Sequence, residues 1–111
     1  MSIQISQSQV LRNALEFASQ NHRVISQNMA NLNTPGYQSL ELLAEQLATG
    51  ASQHLAEFQT KPVEGLQERP NGNNVDLDTE MSNMRRNDLV YQTLTQLLGA
   101  KVDMLKTAIK G

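Results

Sequence analysis

Asn28-Met-Ala-Asn-Leu-Asn-Thr-Pro-Gly-Tyr37 closes a long helical pattern and turns the chain. Leu11, Leu15, Ala18, His22, Ile25, Met29 and Leu32 precede or overlap it at alternating spacings of four and three, the a/d seam of a coiled coil. The pyrrolidine ring of Pro35 disfavours α geometry in the residue before it, so Asn33 and Thr34 leave the helix. Pro35-Gly36 then supplies the pair a type II turn requires, because its third residue needs a positive φ. The segment offers amides, a hydroxyl and one phenol, but no nucleophile with a base and no metal ligand. Its role is therefore geometric.

Working outward, Ser6 and Gln9 fit a Ser-x-x-Gln capping box and Ile5 with Val10 a hydrophobic staple, which predicts a first helix over about residues 7–33. Val10, Ala14 and Phe17 widen its apolar stripe, while Gln7, Gln9, Asn13, Gln20, Asn21 and Gln27 make the other face an amide surface. A face of that kind meets water or other subunits without desolvating ion pairs. After the turn, Leu40, Leu43, Ala44, Leu47 and Ala48 repeat at helical spacing between a possible N-cap, Ser39, and a stop, Gly50. A short amphipathic helix is predicted there, continued weakly through Leu55 and Phe58. Residues 59–74 hold Pro62, Gly65, Pro70 and Asn71-Gly-Asn-Asn74 without a period, and read as an irregular loop.

A second long helix is predicted from Asp76 or Asp78, where Asp76, Asp78 and Glu80 favour the positive end of its dipole and Lys101, Lys106 and Lys110 the other. Its seam runs Leu77, Met81, Met84, Asp88, Tyr91, Thr95, Leu98, Val102, Leu105, Ile109, again alternating four and three. Leu89, Val90, Leu94 and Leu97 add apolar surface that a two-helix hairpin does not cover, and long exposed apolar stripes mark interfaces. The expected architecture is mostly α: two long terminal helices packed as a coiled-coil-like hairpin, with a short helix and irregular loop between. It divides into segments 1–37, 38–75 and 76–111 of one domain.

With 111 residues, few aromatics and no cysteine, the chain has a small core and neither disulfides nor thiolate sites to supplement it. Partner subunits are the remaining source of burial. A net charge of −2 without clustered Lys and Arg argues against nucleic acid, and the acidic residues gather in the middle, where five Glu face Lys61 and Arg69. Residues 1–11 lack the basic and apolar regions of a Sec signal, and no run reaches membrane-spanning length. His22 and His54 stand far apart, outside any zinc spacing, and His22 reads as a polar seam residue. No serine sits in a nucleophile elbow, no glycine loop cradles phosphate, and Met81, Met84 and Met104 fall at core spacing. Neither an enzyme nor a cofactor or small-molecule site is expected.

The pattern Asn28-x-Ala30-Asn31-x-x-Thr34-Pro35-Gly36-Tyr37 resembles the N-terminal signature of bacterial flagellar rod, hook and hook-associated proteins. Asn71-Gly-Asn-Asn-Val-Asp-Leu-Asp-Thr-Glu-Met81 and the stretches Tyr91–Leu98 and Met104–Ile109 are similar to the C-terminal part of rod subunits, those of the proximal rod above all. Family members usually carry an Asp-containing extended segment soon after the turn, where this chain has the Leu40-rich helical spacing. The resemblance implies a structural subunit of the flagellar basal body, in the proximal rod that joins the export gate and FliE base to the axial drive shaft and transmits torque. It implies copies of itself, FlgC, FlgF, FlgG, FliE and the export gate as partners, and a periplasmic place reached through the flagellar type III apparatus without a cleaved signal. A FlgC-like subunit and a small helical adaptor or export chaperone are the alternatives.

Overall fold

A computed structural model describes residues 7–46 and 56–110. Their order is α1 (Gln7–Ala30), β1 (Leu40–Gln46), β2 (Ala56–Pro62) and α2 (Leu77–Lys110). The two helices lie antiparallel, since Asn28 meets Glu80 at one end of their contact and Ala18 meets Asn87 nearer the other. β1 and β2 form an antiparallel pair with Leu42 opposite Thr60 and Ala44 opposite Phe58, packed beside α1. The capping box and staple involve Ser6 and Ile5, which lie outside the described residues.

α1 ends three residues before the expected boundary. Asn31, Leu32 and Thr34 donate to carbonyls three residues back, the tightening common at helix ends. Tyr37 N–H then donates to Thr34 C=O across Pro35 and Gly36, and Gly36 has φ +76°, as a type II turn demands. α2 starts at Leu77 because Asp76 caps it: its Oδ1 accepts from Asp78 N–H and its Oδ2 from the Thr79 hydroxyl.

The predicted short helix is instead strand β1, and residues 59–62 of the predicted loop belong to β2. Leu, Ala, Glu and Gln favour helix locally, but residues 40–44 satisfy a two-residue period as well as a helical one. Tertiary partners decide between them. Leu40 N–H donates to Asn28 Oδ1 at 3.0 Å and its C=O accepts from Asn28 Nδ2 at 2.8 Å, so neither enters a helical ladder. Ser39, expected as an N-cap, accepts from Val63 N–H through its carbonyl and turns its hydroxyl to Glu80. Phe58, expected as a weak continuation of helix, sits in β2 with its ring edge-on to Phe17, centroids 5.4 Å apart. Leu47, Ala48, Gly50 and Leu55 lie outside the described residues. The chain is thus extended after the turn, as the family resemblance implies, though β1 contains none of the Asp that the resemblance attaches to that segment.

The apolar core is small: Ala18, Val24, Ile25, Leu42 and Val75 are buried. Buried polar side chains equal it in importance, namely Asn28, Ser39, Asn73, Asn74, Glu80 and Asn87. Among the described residues every buried side-chain nitrogen or oxygen has a hydrogen-bond partner, so this polar interior meets the condition for being stable.

Candidate functional site

The turn signature and the Asn71–Asp76 run, nearly forty residues apart in the chain, close on one another as a clasp. Asn28 is at its centre, 1% exposed and used to the limit of its amide. Its Nδ2 donates to Leu40 C=O at 2.8 Å and to Glu80 Oε2 at 3.2 Å. Its Oδ1 accepts from the Tyr37 hydroxyl and from Leu40 N–H, both at 3.0 Å. One side chain therefore ties α1 to the turn, to β1 and to α2.

Glu80 is 4% exposed, and its other oxygen accepts from the Ser39 hydroxyl at 2.9 Å. It has no salt-bridge partner among the described residues, so neutral donors alone balance the loss of hydration. Burial first, and the Glu80 carboxylate second, push the Tyr37 phenol above its ordinary value. Because the folded value exceeds the unfolded one, Tyr37's contribution to stability is fully present below a pH of about 10 and is lost as pH rises through the folded value. Tyr37→Phe is expected to cost about 1 kcal/mol at neutral pH. Denaturant titrations across alkaline pH should also show a shallower decline in stability for the variant than for the parent.

A second layer of the clasp holds the turn that follows α1. Asn73, fully buried, donates through Nδ2 to the carbonyls of Asn31 and Thr34, both at 2.8 Å, while its Oδ1 accepts from Val75 N–H. Arg69 donates to Leu32 C=O and to Val75 C=O. The last carbonyls of α1 itself are met locally by Asn31 and Leu32, and residues from far along the chain take the carbonyls of the turn that follows it. Gly36 N–H donates to Asn71 C=O at 2.9 Å, and Ser39 N–H to Asn74 Oδ1 at 2.6 Å. The two backbones cross at two glycines: a Cβ on Gly72, whose φ is +83°, would stand 3.3 Å from Gly36 Cα.

Above the clasp, Asn87 joins the helices. It donates to Ala18 C=O at 2.8 Å and accepts from Asn21 Nδ2 at 2.9 Å. His22 Nδ1 lies 3.5 Å from Asp88 Oδ1, with both side chains more than half exposed, a surface pair of little energetic weight.

Of the signature residues, Asn28, Asn31, Thr34, Gly36 and Tyr37 take part in the clasp, while Ala30 and Pro35 are exposed on its outside. Along the α1 seam, Ala18 and Ile25 are buried, Leu11, Leu15, Met29 and Leu32 are half-buried and His22 is exposed. Along the α2 seam only Met84 is half-buried; Leu77, Met81, Tyr91, Leu98, Val102, Leu105 and Ile109 are exposed. The face α2 turns to α1 carries Glu80 and Asn87 instead. Asn73, Asn74, Ser39, Glu80, Asn87 and Arg69 are the residues sequence reasoning missed as site members; the Asn-Asn-Val-Asp run was the available signal. Among the described residues there is no group of three or more His, Asp or Glu able to hold a metal, and no helix long and apolar enough to cross a membrane. What the arrangement does chemically is hold two helix ends and a strand in fixed relation.

A family profile described as flagella basal body rod protein matches residues 9–38, which run from the first helix to the end of the turn. The chain is similar to the flagellar basal body rod protein FlgB of Bacillus subtilis, with 31% identity over the whole of this chain and 98% of the relative. It is 35% identical to that of Aeromonas hydrophila over 88% of each, and 29% identical to that of Aquifex aeolicus over 87% of each. The clasp's two halves both fall inside the Bacillus subtilis match, which spans the whole chain. The chain belongs to the FlgB family of flagellar basal body rod proteins, and is a structural subunit of the rod.

Proposed function

We propose that this subunit forms the proximal rod, joining the export gate and FliE base to the axial drive shaft and transmitting torque. Copies of itself, together with FlgC, FlgF and FlgG, pack against the apolar stripes of α1 and α2; FliE and the export gate meet the base. The chain leaves the cell unfolded through the flagellar type III apparatus, without a cleaved signal, and works in the periplasm without enzymatic chemistry. One observation carries this reading: α2 exposes Leu89, Leu97, Leu98, Val102, Leu105 and Ile109, the last at 84%. Stripes of that length are stable in water only when neighbours cover them. The clasp supports the torque role, because a node in which every buried side-chain nitrogen and oxygen is hydrogen-bonded resists bending where α1 ends.

The test is Leu98→Glu with Val102→Glu, which adds charge to an exposed seam, the two side chains standing at 41% and 40% exposure. Stability should stay within about 1 kcal/mol of the parent, as surface changes usually do, while swimming in soft agar is abolished. Normal swimming by cells carrying only this variant would defeat the proposal.

A further inference from the structure

Between α1, the strand pair and the first half of α2 lies an open groove of about 720 Å³. Phe17, Leu40, Phe58, Leu66, Val90 and Leu94 line it. Most polar side chains that reach it, among them Asn21, Ser39, Glu80 and Asn87, are already hydrogen-bonded to other residues of the chain, and Arg86 donates to Asn83, which leaves a mainly apolar trough rather than a set of convergent ligand-binding groups. Its wall along α2 runs from Thr79 and Glu80 to Leu94, about 21 Å at the α-helical rise.

The last turns of α2 have the complementary properties. α2 continues for twenty-three residues after Asn87, whereas α1 begins only eleven residues before Ala18, the residue beside it. Gly99–Lys110 therefore projects beyond the described part of α1 by about 18 Å. That matches the groove's length. It presents Val102, Leu105 and Ile109 at 40%, 57% and 84% exposure. It also carries Lys101, Lys106 and Lys110 against one acid, Asp103, while the groove is lined by Glu41 and the buried Glu80 against Arg86, and Leu66 stands between Glu64 and Glu68 in the loop after β2. The net charges are opposite in sign. A chain cannot fill its own groove in this way, because α2 is unbroken from Leu77 to Lys110 and its tail points away from its own first half.

We infer that the groove receives the C-terminal turns of α2 from a second copy of this chain, head to tail. This rests on the rod-assembly reading and adds to it which surface meets which. A contact between two different patches does not close on itself as a twofold dimer does; repeated, it builds an open helical array. Groove and tail then amount to the helix-in-groove mode of recognition, read by apolar anchors three to four residues apart.

The sequence contains no cysteine, so disulfide trapping reads the contact directly. Full-length chains carrying Leu66→Cys together with Val102→Cys, Leu105→Cys or Ile109→Cys are concentrated until they sediment as assemblies, then oxidised, beside the four single variants. At least one double variant should give a ladder of covalent multimers, and the matching singles should link when mixed. Assemblies that yield links only between identical positions, only closed dimers, or no mixed link overturn the groove and tail contact while leaving rod assembly standing. A chain that never associates at any concentration overturns the assembly reading, and this inference with it.

Discussion

Asn28→Ala should destabilise the folded chain by about 3 kcal/mol, a large share of the roughly 5–15 kcal/mol that holds a domain together. The substitution removes four hydrogen bonds at a site 1% exposed, and it strands their partners: Leu40 N–H and C=O, the Tyr37 hydroxyl and Glu80 Oε2. Leaving a buried carboxylate with half its donors costs more than losing an exposed bond. Asn31→Ala is the matched control, because its side chain donates to Gln27 C=O in an exposed setting, and it should cost under about 1 kcal/mol. Urea midpoints for the two variants check the contrast. β1 should also lose amide protection in the Asn28 variant, since the Asn28 amide is what holds Leu40 extended.

Gly72→Ala is the second large effect expected. Two costs combine: a side chain in left-handed backbone, φ +83°, and a new Cβ 3.3 Å from Gly36 Cα, which is backbone and yields little. The first is worth about 1–2 kcal/mol. Gly36→Ala separates the two, for its φ is +76° yet nothing lies within 4 Å of a Cβ placed there. Gly36→Ala should therefore lose only the conformational part and Gly72→Ala about 1 kcal/mol more, in the range of overpacking. Equal losses would mean that the crossing of the two segments is looser than described. Both are read from denaturant midpoints at constant m-value.

Local signals sufficed for both helices and the turn between α1 and β1. Asp76 as a cap, Pro35 after a helix end and Gly36 at the positive-φ position all act within a few residues, and each sits where local chemistry puts it. What failed was the middle. The Leu40-rich segment has good helix formers at helical spacing, and nothing within it announces that Asn28 and the partner strand hold it extended. The clasp was hidden for the same reason. Asn28 and Glu80 are 52 positions apart, Asn73 and Asn31 are 42, Asn21 and Asn87 are 66. Glu80 in a first turn looks like a dipole-favouring acid, Ser39 before an apolar run looks like a cap, and Asn73 in an Asn-Gly-Asn-Asn run looks like a turn residue. Each of these chemistries is served equally well by long-range partners. The family resemblance pointed to both halves of the clasp as separate motifs, but gave no reason for them to meet.

Amide hydrogen exchange on the full chain, dilute and then assembled, tests most directly the claim that the clasp orders the subunit and leaves the end of α2 for its neighbours. In the dilute chain, amides of residues 28–40 and 72–87 should exchange slowly and those of 97–110 fast. Assembly should then slow the latter by orders of magnitude and change the clasp little. Slow exchange across 97–110 in the dilute chain, or no change there on assembly, would contradict the account.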